Sequence, residues 1–119
     1  MNIQTILDHY IICALWSSTD NKDQPLDQNF DVSDIDSKTK EKMIGDIVKF
    51  LKDAETPLEE SELDEEQIGH DFWLTRNRHG AGFWDRGLEK SLGEKLTKIC
   101  HKFGEVDLYV GDDNKVHSY

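Results

Sequence analysis

Cysteine is scarce in this chain. Cys13 and Cys100 are the only two, and each falls in or beside an apolar stripe, which predicts reduced packing residues and excludes a disulfide-framed scaffold. Proline is as scarce, at Pro25 and Pro57, so helices have few obligatory breaks. Long apolar runs are missing too. The longest, Ile11 to Trp16, is far short of the roughly 20 residues a membrane helix needs, and no basic segment precedes it, which predicts a protein that stays in the cytoplasm. The chemical signatures HExxH, CxxC, GxSxG and a phosphate-binding Walker loop do not occur. Their absence predicts a non-enzymatic protein with no cofactor and no metal.

Positive charge is short in one half only. The net charge is −11, but residues 1–71 hold 18 Asp and Glu against 6 Lys and Arg, whereas residues 72–119 hold 7 against 8. The whole excess therefore lies before Phe72. Such a surface repels phosphate backbones and anionic lipid, which excludes direct nucleic-acid or membrane binding and leaves basic proteins or cations as partners. The plainer use of the same charge is solubility.

What is present suffices for one core. At 119 residues with 36% hydrophobic side chains, the chain reads as a single domain over 1–119. Ile3, Ile6, Leu7, Tyr10, Ile11, Ala14 and Leu15 follow helical spacing and predict a helix to about Trp16. Residues 17–33 lack periodicity and predict a long loop, tacked to the core by Leu26, Phe30 and Val32. Ser33 or Ser37 then caps a second helix with Met43, Ile44, Ile47, Val48 and Leu51 on one face, running to about Ala54. Pro57 interrupts it, and residues 55–69 form an acidic connector, Leu58 to Gln67 reading as a short, exposed helix or turn.

Phe72–Thr75 and Phe83–Trp84, separated by Asn77, Gly80 and Gly82, predict two strands of a hairpin. Leu88, Leu92, Leu96, Ile99 and Phe103 predict a third helix closed by Gly104. Val106, Leu108 and Val110 alternate with polar residues and predict a terminal hairpin returning through Lys115–His117. The expected architecture is α+β, a small antiparallel sheet of two hairpins with about three helices packed on one face.

Three stretches could carry chemistry. Between Gly69 and Arg86 the chain gathers His70, Asp71, Trp73, Arg76, Asn77, His79, Gly80, Gly82, Trp84 and Asp85. Backbone N–H groups at the glycines, donors from Arg76 and His79 and an indole wall would suit a small ligand or nucleotide. A catalytic version would set His70 or His79 as base, oriented by Asp71 or Asp85, with Arg76 facing a developing anion. The alternative is that the aromatics are simply the packed faces of a hairpin. Asp27-Gln28-Asn29-Phe30-Asp31 imitates the start of a calcium loop, but Val32 stands where that loop needs Gly and Lys38 where it needs Glu, so turn and cap roles fit better. The third stretch is the carboxylate row Asp53, Glu55, Glu59, Glu60, Glu62, Asp64, Glu65, Glu66 and Asp71, without Lys or Arg between Lys52 and Arg76. It could stand in for duplex phosphates before a basic partner, or be a solvated face.

The run His70 to Arg86, with Asp107–Asp113 downstream and Ala14-Leu15-Trp16 and Pro25-Leu26-Asp27 upstream, resembles a group of small proteins encoded in tailed-bacteriophage genomes. The likeness spans nearly the whole chain, and its central motif is GHDFWLTRN-x-HGAGFWD. Arg78 stands where that group carries Gly, and Asn114 likewise stands before Lys115. The resemblance implies an accessory product made in the host bacterial cytoplasm, where such products bind a host enzyme, polymerase or defence complex. Together with the charge, it predicts an inhibitor of a basic, nucleic-acid-handling host protein acting through the acidic residues. The alternative is a ligand-binding protein using the Arg76, His79, Gly80, Gly82 and Trp84 loop, and self-association through exposed indoles is a third route.

Overall fold

The first helix forms where the apolar spacing puts it. In the computed structural model, which describes all 119 residues, α1 spans Ile3–Ser17, opened by the Asn2 side chain accepting from the Thr5 N–H at 3.2 Å. Ile6, Leu7, Tyr10, Ile11, Ala14 and Leu15 are buried along it. The following loop is folded by the Asp20 carboxylate, which accepts from the N–H groups of Lys22 and Gln24, and Leu26 is buried as expected. Short 3-10 turns follow at Leu26–Gln28 and Val32–Asp34. The calcium-like residues act locally. Asp31 caps the second turn by accepting from the Ser33 N–H and hydroxyl, and the same bonds hold its pKa below the ordinary carboxylate value.

Helix α2 spans Ser37–Asp53, and its cap is Asp36, whose carboxylate accepts from the Thr39 N–H at 3.2 Å. Neither Ser33 nor Ser37 fills that role, because Ser37 is already the first helical residue. The helix stops at Asp53 since Pro57, four residues on, has no N–H for that carbonyl and its ring would collide with it. Pro57 then lies in the first turn of α3, Glu55–Ser61, where a missing N–H costs nothing. The expected connector is thus largely helical.

The largest departure concerns Phe72–Thr75. These residues are not a strand but the final turns of α4, Glu65–Arg76, capped by Asp64 accepting from the Gln67 N–H at 2.8 Å. Ile68, Gly69 and every residue from Asp71 to Arg76 are buried, with α1 along one side and α5 along another. A helix enclosed on most sides shows no amphipathic period, and its Phe-Trp-Leu-Thr run has strand-like composition that packing overrides. Phe83–Asp85 is likewise a 3-10 turn. The predicted central hairpin does not exist, so the fold has five helices rather than about three, and one hairpin rather than two.

Helix α5 spans Lys90–His101, burying Leu92, Leu96 and Cys100, and Gly104 follows with φ +77° as its position demands. Strands β1 (Leu108–Val110) and β2 (Val116–Ser118) pair antiparallel, Tyr109 opposite His117. Arg78 and Asn114 both adopt left-handed backbone, φ 56° and 61°, where glycine is the least strained residue. No helix is long and apolar enough to cross a membrane.

Cys13 and Cys100 are both free and buried. Burial pushes both thiols up, Cys13 to about 12. The core they join is dominated by aromatics: Phe50 and Phe72 stack at 4.2 Å, Phe103 meets Phe72 edge-on at 5.1 Å, and Trp73 meets Tyr10 edge-on at 5.3 Å. The main helix pair, α1 and α4, closes on Gly69, where an added Cβ would lie 2.3 Å from the Ile6 carbonyl oxygen. Backbone cannot move aside as a side chain can. Gly69→Ala should therefore spread the two helices and cost about 1–3 kcal/mol, read as a lower urea midpoint; an unchanged midpoint would contradict this packing.

Candidate functional site

The acidic residues from Asp53 to Glu66 all reach the surface. On α3 only Leu58 is buried, while Glu55, Glu59 and Glu60 are exposed. Glu62 turns the chain in a left-handed conformation, φ 57°. Three of the remaining acids serve the start of α4, where Asp64 caps the helix and Glu65 and Glu66 lie in its first turn, favoured by the positive end of the helix dipole. Glu65 also accepts from the Asn2 N–H, Glu66 lies 3.8 Å from His9, and Asp53 pairs with Lys49 at 2.8 Å. Asp71, the last of the row, is buried and lies apart from it.

The side chains of Glu55, Glu59, Glu60 and Glu62 form no hydrogen bond and no ion pair. Beside them the surface is not uniformly polar. Met1, Ile3, Leu51 and Leu58 line a cleft of about 410 Å³ together with Lys52, Glu55 and Glu59, and Met1 and Ile3 are exposed there. Its lining is therefore apolar with one cation and two carboxylates.

The motif between His70 and Asp85 is dispersed rather than assembled. Arg76, expected to face a ligand anion, is 2% exposed and fully engaged. It donates to Asp46 at 2.8 Å, the Tyr10 hydroxyl at 3.1 Å and the carbonyls of Gly104 and Phe103 at 2.9 and 3.0 Å. Its guanidinium also lies over the rings of Phe72 and Phe103. Burial pushes the Tyr10 hydroxyl up to about 12 despite the cation beside it. Asp71 is likewise committed, not to His70 but to Arg86, in three bonds of 2.7–3.0 Å, with Gln67 donating a fourth.

Gly82 is occupied by its neighbours, since a Cβ there would meet Trp84 and the Thr75 hydroxyl, which accepts from the Phe83 N–H. Gly80, Trp84 and Asp85 are exposed, and the Asp85 carboxylate forms no bond to orient His79. Neither His–Asp pairing proposed for catalysis forms. Neighbouring helical residues such as His70 and Asp71 point to different faces, and the sequence had no way to announce Asp46 and Arg86 as the true partners.

Three of the motif residues do share a cleft. Trp73, Asn77 and His79 meet Ser17, Asp107 and Tyr119 around a space of about 430 Å³. Most of its polar groups already hold the fold, however. Trp73 Nε1–H donates to the Ser17 hydroxyl at 2.8 Å, and Asn77 both donates to the Trp73 carbonyl and accepts from the Val106 N–H. The charged residues on its wall are Glu105 and Asp107. With carboxylates and no Lys or Arg there, the cleft disfavours phosphate, and of the donors expected for a nucleotide it holds His79 but not Arg76.

No family model matches this chain. Neither does any curated protein or any solved structure.

Two outcomes follow from these contacts. Arg86→Ala strands the fully buried Asp71 carboxylate and should cost about 3–5 kcal/mol; adding Asp71→Asn should restore part of that in a double-mutant cycle, and a simple sum of the two losses would contradict the pairing. His70 is held below the ordinary histidine pKa, first by burial and then by Arg86 and His9, with Asp71 opposing. Because the folded chain keeps His70 neutral where the unfolded chain protonates it, stability falls as pH drops through the unfolded value of about 6.5 and levels off below the folded pKa. An NMR titration should give His70 the lower midpoint, and His70→Gln should flatten that acid-side loss.

Proposed function

We propose that this chain is a non-enzymatic binding protein that blocks a basic, nucleic-acid-handling protein of a bacterial host or its defences. Contact is through the acidic ridge running from α3 to the start of α4. The observation that carries the reading is the unpartnered carboxylate set Glu55, Glu59, Glu60 and Glu62 beside the apolar cleft of Met1, Ile3, Leu51 and Leu58. Carboxylates satisfied by nearby lysines would contribute little to a partner, whereas these keep their full charge for one.

A protein surface built to hold phosphates presents Lys and Arg in rows, and a row of carboxylates complements it without any nucleic acid present. The cleft supplies what charge alone does not, a desolvated anchor that slows dissociation. The resemblance to bacteriophage accessory proteins supports a host target and the host cytoplasm as the place of action.

The reading predicts capture from bacterial lysate of a basic protein, released by salt because surface charge pairs are screened within roughly 10 Å at 0.1 M. The quadruple change Glu55→Gln, Glu59→Gln, Glu60→Gln, Glu62→Gln should weaken that capture about tenfold to a hundredfold while leaving the unfolding midpoint nearly unchanged. Capture that ignores salt, or that survives the quadruple change, would remove the proposal.

A further inference from the structure

The C-terminal hairpin is fastened to the start of α2 by backbone. Asp36 N–H donates to the Val116 carbonyl at 2.9 Å, Ile35 and Val116 form a parallel bridge, and Ser118 N–H donates to the Thr39 hydroxyl at 3.1 Å. This attachment brings together three side chains that are 4 to 81 positions apart in sequence: Asp36, Asp113 and His117. His117 Nε2 lies 3.0 Å from both oxygens of Asp113, and its Nδ1 lies 3.6 Å from Asp36 Oδ2.

The imidazole is placed rather than free. Tyr109 stacks on it with ring centres 5.3 Å apart and planes at 19°, and Tyr119 packs against Tyr109 in turn. Gly111 leaves room for it, since a Cβ there would come within 2.7 Å of the ring. Both carboxylates are oriented as well, Asp36 by the Thr39 N–H and Asp113 by the Lys115 N–H. Outer hydrogen bonds of this kind are what hold metal ligands in position.

A row of acids alone would say little, but here two carboxylates from different elements face the two nitrogens of one imidazole. A neutral imidazole carries one N–H and one lone pair, so one carboxylate must face a lone pair. Either a second ring proton, which lets His117 donate to both carboxylates, or a metal ion in place of that proton at one nitrogen satisfies the arrangement, so metal and proton compete for the site. One donor atom from each residue can be chosen so that all lie within 4.8 Å of one another. Around an ion with bonds of about 2.0–2.2 Å, ligand atoms sit roughly 3–4.4 Å apart; because the two ring nitrogens point apart, the ion takes one of them and the carboxylate facing the other turns toward it. One imidazole with two carboxylates suits Zn²⁺, Co²⁺ or Ni²⁺ better than the all-oxygen shells of Ca²⁺ and Mg²⁺. The side chains of Asp36 and His117 are each 22% exposed, leaving a path for the ion.

We propose that Asp36, Asp113 and His117 form a site for one divalent transition-metal ion, Zn²⁺ being the best fit, which clamps the C-terminal hairpin onto α2. The site is separate from the acidic ridge and does not depend on the function proposed above. Because the ion binds only where α2 and the hairpin are docked, it favours the folded state.

The test titrates ZnCl₂ into the full chain by calorimetry, with thermal unfolding in parallel and MgCl₂ as control. The expected result is one equivalent of Zn²⁺ bound, an unfolding midpoint that rises with Zn²⁺, and no response to Mg²⁺. Asp36→Asn keeps the helix cap, because asparagine caps as well as aspartate, yet should weaken Zn²⁺ binding at least tenfold, as should His117→Gln. In the unaltered chain, NMR should show Zn²⁺ shifting His117 and leaving His9, His70, His79 and His101 in place. Absence of binding to Zn²⁺, Co²⁺ and Ni²⁺ overturns the proposal, and so does binding undiminished in both variants or shifts confined to the other histidines.

Discussion

The guanidinium of Arg76 is the interaction on which the other elements are organised. It lies at the last residue of α4 and binds α1 through Tyr10, α2 through Asp46 and the end of α5 through the Phe103 and Gly104 carbonyls. A buried cation without partners would unfold its surroundings, so every one of those elements must be in place before it is satisfied. Its five N–H donors in a fixed fork let one side chain fasten three helices where a lysine could not. The rings of Phe72 and Phe103 beside it complete an environment that is tolerable only when closed.

A second buried ion pair, Asp71 with Arg86, ties the same helix to the turn that precedes α5. The two pairs show what the densest motif of the chain does with Arg76, Asp71 and Arg86, while Gly82 makes room for Trp84 and Gly69 for the Ile6 backbone. What remains open lies elsewhere. The carboxylates of α3 stay unpaired on one surface, and the hairpin presents Asp36, Asp113 and His117 on another.

Parts of this were legible without coordinates. The stripe of α1, the apolar face of α2, the spacing of α5 with Gly104 behind it, and the terminal hairpin all follow periodicities that survive because one side of each element meets solvent. The acidic stretch was legible because charge is a property of composition. The enclosed α4 was not. A helix buried on most sides has polar residues such as Asp71, Thr75 and Arg76 among its inward positions, and these break the pattern that would reveal it.

By itself the sequence determined the one-sided charge, the lack of a disulfide frame, and the elements whose hydrophobic period is complete, because these depend on neighbours within a few positions. Only the tertiary structure decided what the charged residues do. Arg76 reaches Asp46 across 30 positions, Arg86 reaches Asp71 across 15, and His117 reaches Asp36 across 81. Pairing at that range depends on how helices cross, and a carboxylate reads the same in sequence whether it faces water, an arginine or an imidazole.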